Sequence, residues 1–291
     1  MKTVTAELLF EVKNTLGEGP QWHPEQRCLY WVDIQAGKLY HSDRSLKTFT
    51  NTQFETSIGA FCFTQPGGFI LASGHGFLSW EGGSVQPKLI WNPLPDRPGV
   101  RLNDGKVDPA GRFWGGSIDT EQCQAELYRL DPDGDQHTLL QHLGIANGLD
   151  WSPDRKTLYF TDSFQYTIFA FDYDLETGAI QNQRPFLQLP KTQAAVVPDG
   201  LCVDTEGCVW SAHWNGWQVV RYSPEGKPIL SVSVPAQRVT SCCLGGEQGD
   251  LLFITTARTG LAERELTNQP HAGDVFVIQT NTIGQKTNLF G

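Results

Sequence analysis

GLDWSPDRKTLYFTDS (148–163) reads as a short apolar strand, a Pro–Asp turn and a second, aromatic strand, and the plan recurs along the chain. It returns in GPQWHPEQRCLYWVDI (19–34), GAFCFTQPGGFILASG (59–74), DGKVDPAGRFWGGSID (104–119), GLCVDTEGCVWSAHW (200–214) and CLGGEQGDLLFITTA (243–257). Turn anchors at Pro24, Pro66, Pro109, Pro153, Thr205 and Glu247 are separated by 42, 43, 44, 52 and 42 residues. Forty-odd residues suit one four-stranded antiparallel blade. Six such repeats fill the 291 residues, so the sequence predicts an all-β, six-bladed β-propeller with a central channel.

The turns agree with this reading. SPDRK, DPAGR and DTEGC set Pro, Asp and Gly between apolar runs, where hairpin geometry wants them. LYRLDPDGDQHTLL and FAFDYDLETGAI read as second hairpins supplying the outer strands, and PFLQLPKTQAAVV as a longer surface connection. No linker or composition shift divides the chain, which predicts a single domain over 1–291. Closure of the ring is expected from an early strand around Leu8 to Val12 pairing near Val275 to Ile278.

Composition limits the partners. With 32 acidic against 22 basic residues the net charge is −10, which disfavours nucleic acid and anionic membrane surfaces. Small hydroxylated molecules and cations fit better. Glu7 and Glu11 interrupt the first residues, so no secretory segment is read there, and no apolar run is long enough to span a bilayer. The seven cysteines lack a CxxC spacing and read as reduced, mostly buried thiols of a cytoplasmic protein. A monomer is expected.

In a propeller the first strand of each blade lines the channel, so equivalent repeat positions meet around the axis. The residues six before each anchor are Glu18, Ala60, Asn103, Asn147, Asp199 and Ser241. Asp, Glu and Asn make up 42 of the 291 residues, so four in six is well above chance composition. Converging carboxylates repel unless something positive lies between them. Oxygen donors without His or Cys suit Ca²⁺, Mg²⁺ or Mn²⁺, and Zn²⁺ or Fe²⁺ can occupy such sites too. The alternative is a polar channel that only holds ordered water.

LGEGPQWHP (16–24), RLNDGKVDPAGRFWGGSID (101–119), ANGLDWSPD (146–154), VPDGLCVDTEGCVW (197–210) and TSCCLGG (240–246) resemble the regucalcin/gluconolactonase family, in its compact form the bacterial sugar lactonases. The resemblance implies a six-bladed propeller and hydrolysis of aldonolactones with one divalent metal ion. It implies Glu18, Asn147 and Asp199 as metal ligands, Arg101 and Asn103 as substrate contacts, and Glu121 as a lid contact.

A lactone is a cyclic ester, and opening it needs an electrophile on the carbonyl and an activated water. Asp199 is the candidate catalytic residue, either as the base or as the group that positions the water. Arg101 offers a planar fork for two oxygens, and Asn103 can both donate and accept. Trp22, Phe61, Trp151 and Trp214 are available for the channel mouth, although blade packing is the commoner use of such rings. His75 and His213 have no spacing that recommends catalysis, and no GxSxG elbow supports a serine nucleophile. Two other functions compete. One is a metal-dependent phosphotriesterase on a related propeller. The other is a non-catalytic calcium-binding propeller, suggested by LYWVD (29–33) and LYFTD (158–162).

Overall fold

The computed structural model describes residues 1–65 and 67–291, so the anchor at Pro66 lies outside the described residues. Six sheets form the blades of a β-propeller; four have their strands in chain order from one edge to the other, and the last two each carry a strand from the start of the chain at the outer edge. The innermost strands are Gly17–His23, Ile58–Phe63, Arg101–Val107, Ala146–Trp151, Val197–Val203 and Arg238–Gly245. Blade 4 shows the pattern: Ala146–Trp151, Thr157–Asp162, Thr167–Tyr173 and Ile180–Gln188. Its first strand is buried throughout, whereas its last is largely exposed. Strands covered on both faces read as unbroken apolar runs, and the rim strand carries the polar sequence QNQR.

Aromatic side chains fill the wedges between blades. Trp22 of blade 1 stacks on Phe253 of blade 6, with ring centroids 5.6 Å apart. Trp114 of blade 3 meets Trp151 of blade 4 edge to face at 5.4 Å. Such pairs contribute about 1 kcal/mol beyond the area they bury. Trp22, Phe61 and Trp151 are therefore packing residues, and Trp214 lies under the Arg238 guanidinium, 4.8 Å from its ring centre.

Two of the inner hairpins are riveted alike. In DPAGRFW (108–114), Asp108 accepts from the Ala110 and Arg112 N–H groups with one oxygen and from Trp114 Nε1, at 3.0 Å, with the other. In DTEGCVW (204–210), Asp204 does the same with Glu206, Cys208 and Trp210 Nε1, at 2.9 Å. One buried carboxylate thus satisfies both the turn and the indole.

The ring is closed by the strand Glu7–Phe10, which pairs antiparallel with Val275–Gln279, as the early apolar run predicted. An unanticipated strand, Lys2–Thr5, adds in parallel to Pro228–Ser233 at the rim of blade 5. Residues 283–291 cross the end of the channel reached by the inner strands. They bond to every blade in turn, through Trp22, Phe63, Val107, Trp151, Thr205 and Gly249. The seven cysteines are free thiols, and six are buried. Among the described residues no helix is long and apolar enough to cross a membrane.

Candidate metal centre at the channel mouth

All six ring positions lie near the start of an inner strand and are buried. Each inner strand also slips its register there: between Glu18 and Gln21, Ile58 and Ala60, Leu102 and Gly105, Ala146 and Leu149, Pro198 and Leu201, and Val239 and Ser241. A bulge releases a residue from the ladder and re-aims its side chain. The six slips lie at one level, and in blades 3, 4 and 5 they leave Asn103, Asn147 and Asp199 out of the ladder, while Glu18, Ala60 and Ser241 flank the slip in theirs. Blades 4, 5 and 6 come close because glycine follows Asn147 and Asp199: a Cβ on Gly148 would lie 2.7 Å from the Asp199 carbonyl oxygen, and one on Gly200 would meet Ser241.

Glu18, Asn147 and Asp199 converge with Asn103 and Arg101. Arg101 Nη1 donates to Asn103 Oδ1 at 2.7 Å and to its neighbour's Leu102 carbonyl at 3.0 Å. With its oxygen held, the Asn103 amide donates to the Ala146 carbonyl at 3.0 Å and reaches Asn147 Oδ1 at 3.5 Å. The neighbouring amides of Asn147 and Gly200 favour the Asp199 carboxylate as an anion, yet Asp199 Oδ1 is buried with no hydrogen-bond partner. Burial, with Asp199 and Asp104 nearby, holds Glu18 well above the usual carboxylate range. Burial, with Asp104 nearby, does the same to Asp199. Among the described residues no three His, Cys, Asp or Glu side chains are grouped so that they could hold a metal ion.

Below the ring, Asp104 lines a narrow space with Gly19, Ser241 and Cys242, and burial pushes its pKa up to about 6. Deeper still, Lys106 Nζ pairs with Asp150 at 2.7 Å, and Cys202 Sγ lies 3.9 Å from Cys242 Sγ. Above the ring, exposed Glu121 shares a cleft of about 500 Å³ with Arg101, Arg97 and Asp119. His213 bonds to Tyr222 and Gln218 on the next strand of its own blade, at 3.2 and 3.4 Å, rather than to a ring residue.

Three supporting residues were missed. Asp33 accepts from the Thr15 and Leu16 N–H groups at 2.7 and 3.1 Å, just ahead of Glu18. Asp162 accepts from Gly144 and Ile145 at 3.3 and 3.2 Å, just ahead of Asn147. Both aspartates stand fifteen positions after the donor they support (33 from 18, 162 from 147), a signal present in LYWVD and LYFTD. The third is Ser163, whose Oγ touches Asn147 and the Pro198 carbonyl.

The fold and this ring define a six-bladed propeller with an oxygen-donor centre at one mouth of its channel. Residues 16–258 match the SMP-30/gluconolactonase/LRE-like region, and the chain belongs to that family. It is similar to regucalcin of Danio rerio, 36% identical over 288 residues that cover 96% of this chain and 95% of that protein. Among solved structures it resembles a calcium-binding protein, regucalcin, from Agrobacterium tumefaciens, with a TM-score of 0.95 at 25% identity, covering 100% of this chain and 99% of that one. A luciferin-regenerating enzyme superposes with a TM-score of 0.89 at 30% identity, covering 98% and 99%.

Proposed function

We propose that this chain is a metal-dependent lactonase that opens sugar lactones to their aldonic acids. The observation that carries the reading is Asp199 Oδ1, a buried carboxylate oxygen left without a donor beside Glu18 and Asn147. Carboxylates that burial and mutual repulsion drive toward protonation are stabilised as anions by a cation between them. Glu18, Asn147 and Asp199 would hold it, and three oxygen ligands suit a hard divalent ion and leave room for substrate. Bound there, the ion would supply Lewis acidity at the lactone carbonyl. Membership of a family whose description includes gluconolactonase supports the same chemistry.

The chain's own residues supply the rest. Arg101 lines the cleft above the ring and would grip sugar hydroxyls with the N–H groups that Asn103 and Leu102 leave free. Asn103, tied at both ends of its amide, would hold Arg101 and Asn147 in place as well as meet the substrate. Glu121 lies on the same cleft, where a substrate hydroxyl can reach it. Asp199 would take the proton of the attacking water.

The test is a panel of gluconolactone, xylonolactone and arabinolactone, with an organophosphate ester in parallel, on chelated and then reconstituted protein. Lactone turnover should vanish on chelation and return with the cation. Asp199→Ala should abolish it with the far-UV circular dichroism unchanged. Cation binding without any turnover would leave a calcium-binding propeller, and turnover of the organophosphate alone would leave a phosphotriesterase.

A further inference from the structure

We propose that Ser163 is a positioning residue that sets which end of the Asn147 amide faces the channel. The inference rests on the reading of Glu18, Asn147 and Asp199 as a cation site. Ser163 is buried and opens a one-turn 3₁₀ segment, Ser163–Gln165, at the mouth end of blade 4. Asp162 fixes this turn by accepting from the Phe164 N–H at 3.1 Å and the Gln165 amide at 2.8 Å.

A hydroxyl has one proton to give. Ser163 Oγ donates it to the Pro198 carbonyl at 2.7 Å, and so can only accept from Asn147 Nδ2, 3.0 Å away. One of the two amide N–H groups is thereby committed to Ser163, the other is left to the neighbouring Asp199 carboxylate, and Oδ1 takes the remaining side, where the Asn103 amide lies 3.5 Å off. The flipped amide would set two acceptors, Asn147 Oδ1 and the Pro198 carbonyl, in competition for one proton. One buried oxygen would lose its donor, a loss of order 1–3 kcal/mol.

The Pro198 carbonyl matters for a second reason. It belongs to the residue before Asp199, at the bulge where the inner strand of blade 5 leaves its ladder. One hydroxyl thus orients the donor of blade 4 and tethers the backbone carrying the donor of blade 5. Groups that orient metal ligands from behind commonly change affinity by about 10–100-fold when removed.

Calorimetric titration of chelated protein with Ca²⁺ and with Mn²⁺ tests this without reference to activity. Ser163→Ala should weaken binding about 10–100-fold. Ser163→Cys, which keeps the volume, should lose a similar factor, and Ser163→Thr should stay within a few-fold of wild type. In an Asn147→Asp background the ligand is symmetric and has no end to choose, so the Ser163→Ala loss should shrink to a few-fold. Wild-type affinity in Ser163→Ala or Ser163→Cys overturns the proposal, as does an undiminished loss in the Asn147→Asp background. If wild type binds neither cation, the cation-site reading falls and takes this inference with it.

Discussion

His213 and Asp199 are both buried polar side chains, and their partners separate their roles. His213 has both ring nitrogens engaged within its own blade, whereas Asp199 keeps an oxygen unpartnered on the axis. Burial pulls the imidazole down from its ordinary 6.5 to about 4. The unfolded chain therefore binds this proton first. The contribution to stability is complete above pH 6.5, falls as the pH drops toward 4, and is level below that. That span corresponds to about 3 kcal/mol at ~1.4 kcal/mol per pH unit. Replacing His213 by Gln should lower stability at pH 7 yet flatten its fall between pH 6.5 and 4.5, read from urea unfolding at each pH. A slope equal to wild type would show that His213 does not titrate with folding. At this scale the sequence was legible where repeats could be aligned: Glu18, Asn103, Asn147 and Asp199 came from their offset to the turns. Ser163 was not legible, because its bonds join two blades and no spacing records them.

An inner strand here does two jobs, covering a wedge of core and presenting one donor to the axis. In blades 3, 4 and 5 the bulge separates them, since the residues after it stay in the ladder while Asn103, Asn147 and Asp199 leave it. Strand existence and the second hairpins could be read from aromatic runs and Pro–Asp–Gly turns, and the connection in PFLQLPKTQAAVV is partly strand, because Ile180–Gln188 extends into it. The bulges could not be read. A strand buried on both faces has no alternation for a slip to disturb, as the fully buried ANGLDW shows. The glycine after each of two donors is the visible trace of the close approach. Gly148 has an ordinary backbone angle, so Gly148→Ala adds no φ strain and its effect isolates the contact with the Asp199 carbonyl and Gly200. Overpacking of this kind costs about 1–3 kcal/mol. The variant should lose that much in urea unfolding, and by displacing Asp199 it should bind Ca²⁺ more weakly. Unchanged values of both would mean that blades 4 and 5 can separate freely at the ring.

A ring of six sheets has to be fastened at its seam, and this chain fastens it three times. Glu7–Phe10 completes blade 6, Lys2–Thr5 widens blade 5, and residues 283–291 run across all six blades at the end opposite the donors. The first seam was foreseeable because ELLF is apolar and strand-like. The last was not, because TIGQKTNLFG has no periodicity and works through single bonds: Gln285 to the Trp151 and Val203 carbonyls, Thr287 to Trp22, Asn288 to Val107, and Phe290 to Phe63. These bonds use carbonyls near the ends of the inner strands, where a strand has run out of ladder partners. Each contributes about 0.5–1.5 kcal/mol net. Removal of residues 283–291 should therefore cost several kcal/mol, roughly 3–6, out of a total stability on the order of 5–15 kcal/mol. It should also open the cavity of about 300 Å³ that these residues close over Lys106, Asp150 and Cys202, so that Cys202 reacts with a thiol reagent at a rate the full chain does not show. Because the donors sit at the other mouth, the truncated protein, while folded, should bind Ca²⁺ with nearly unchanged affinity. Loss of stability and exposure of the thiol with binding retained would establish the strap as a structural closure. Loss of binding at a temperature where the truncated chain is still folded would instead mean that the two ends of the channel are coupled through the inner strands.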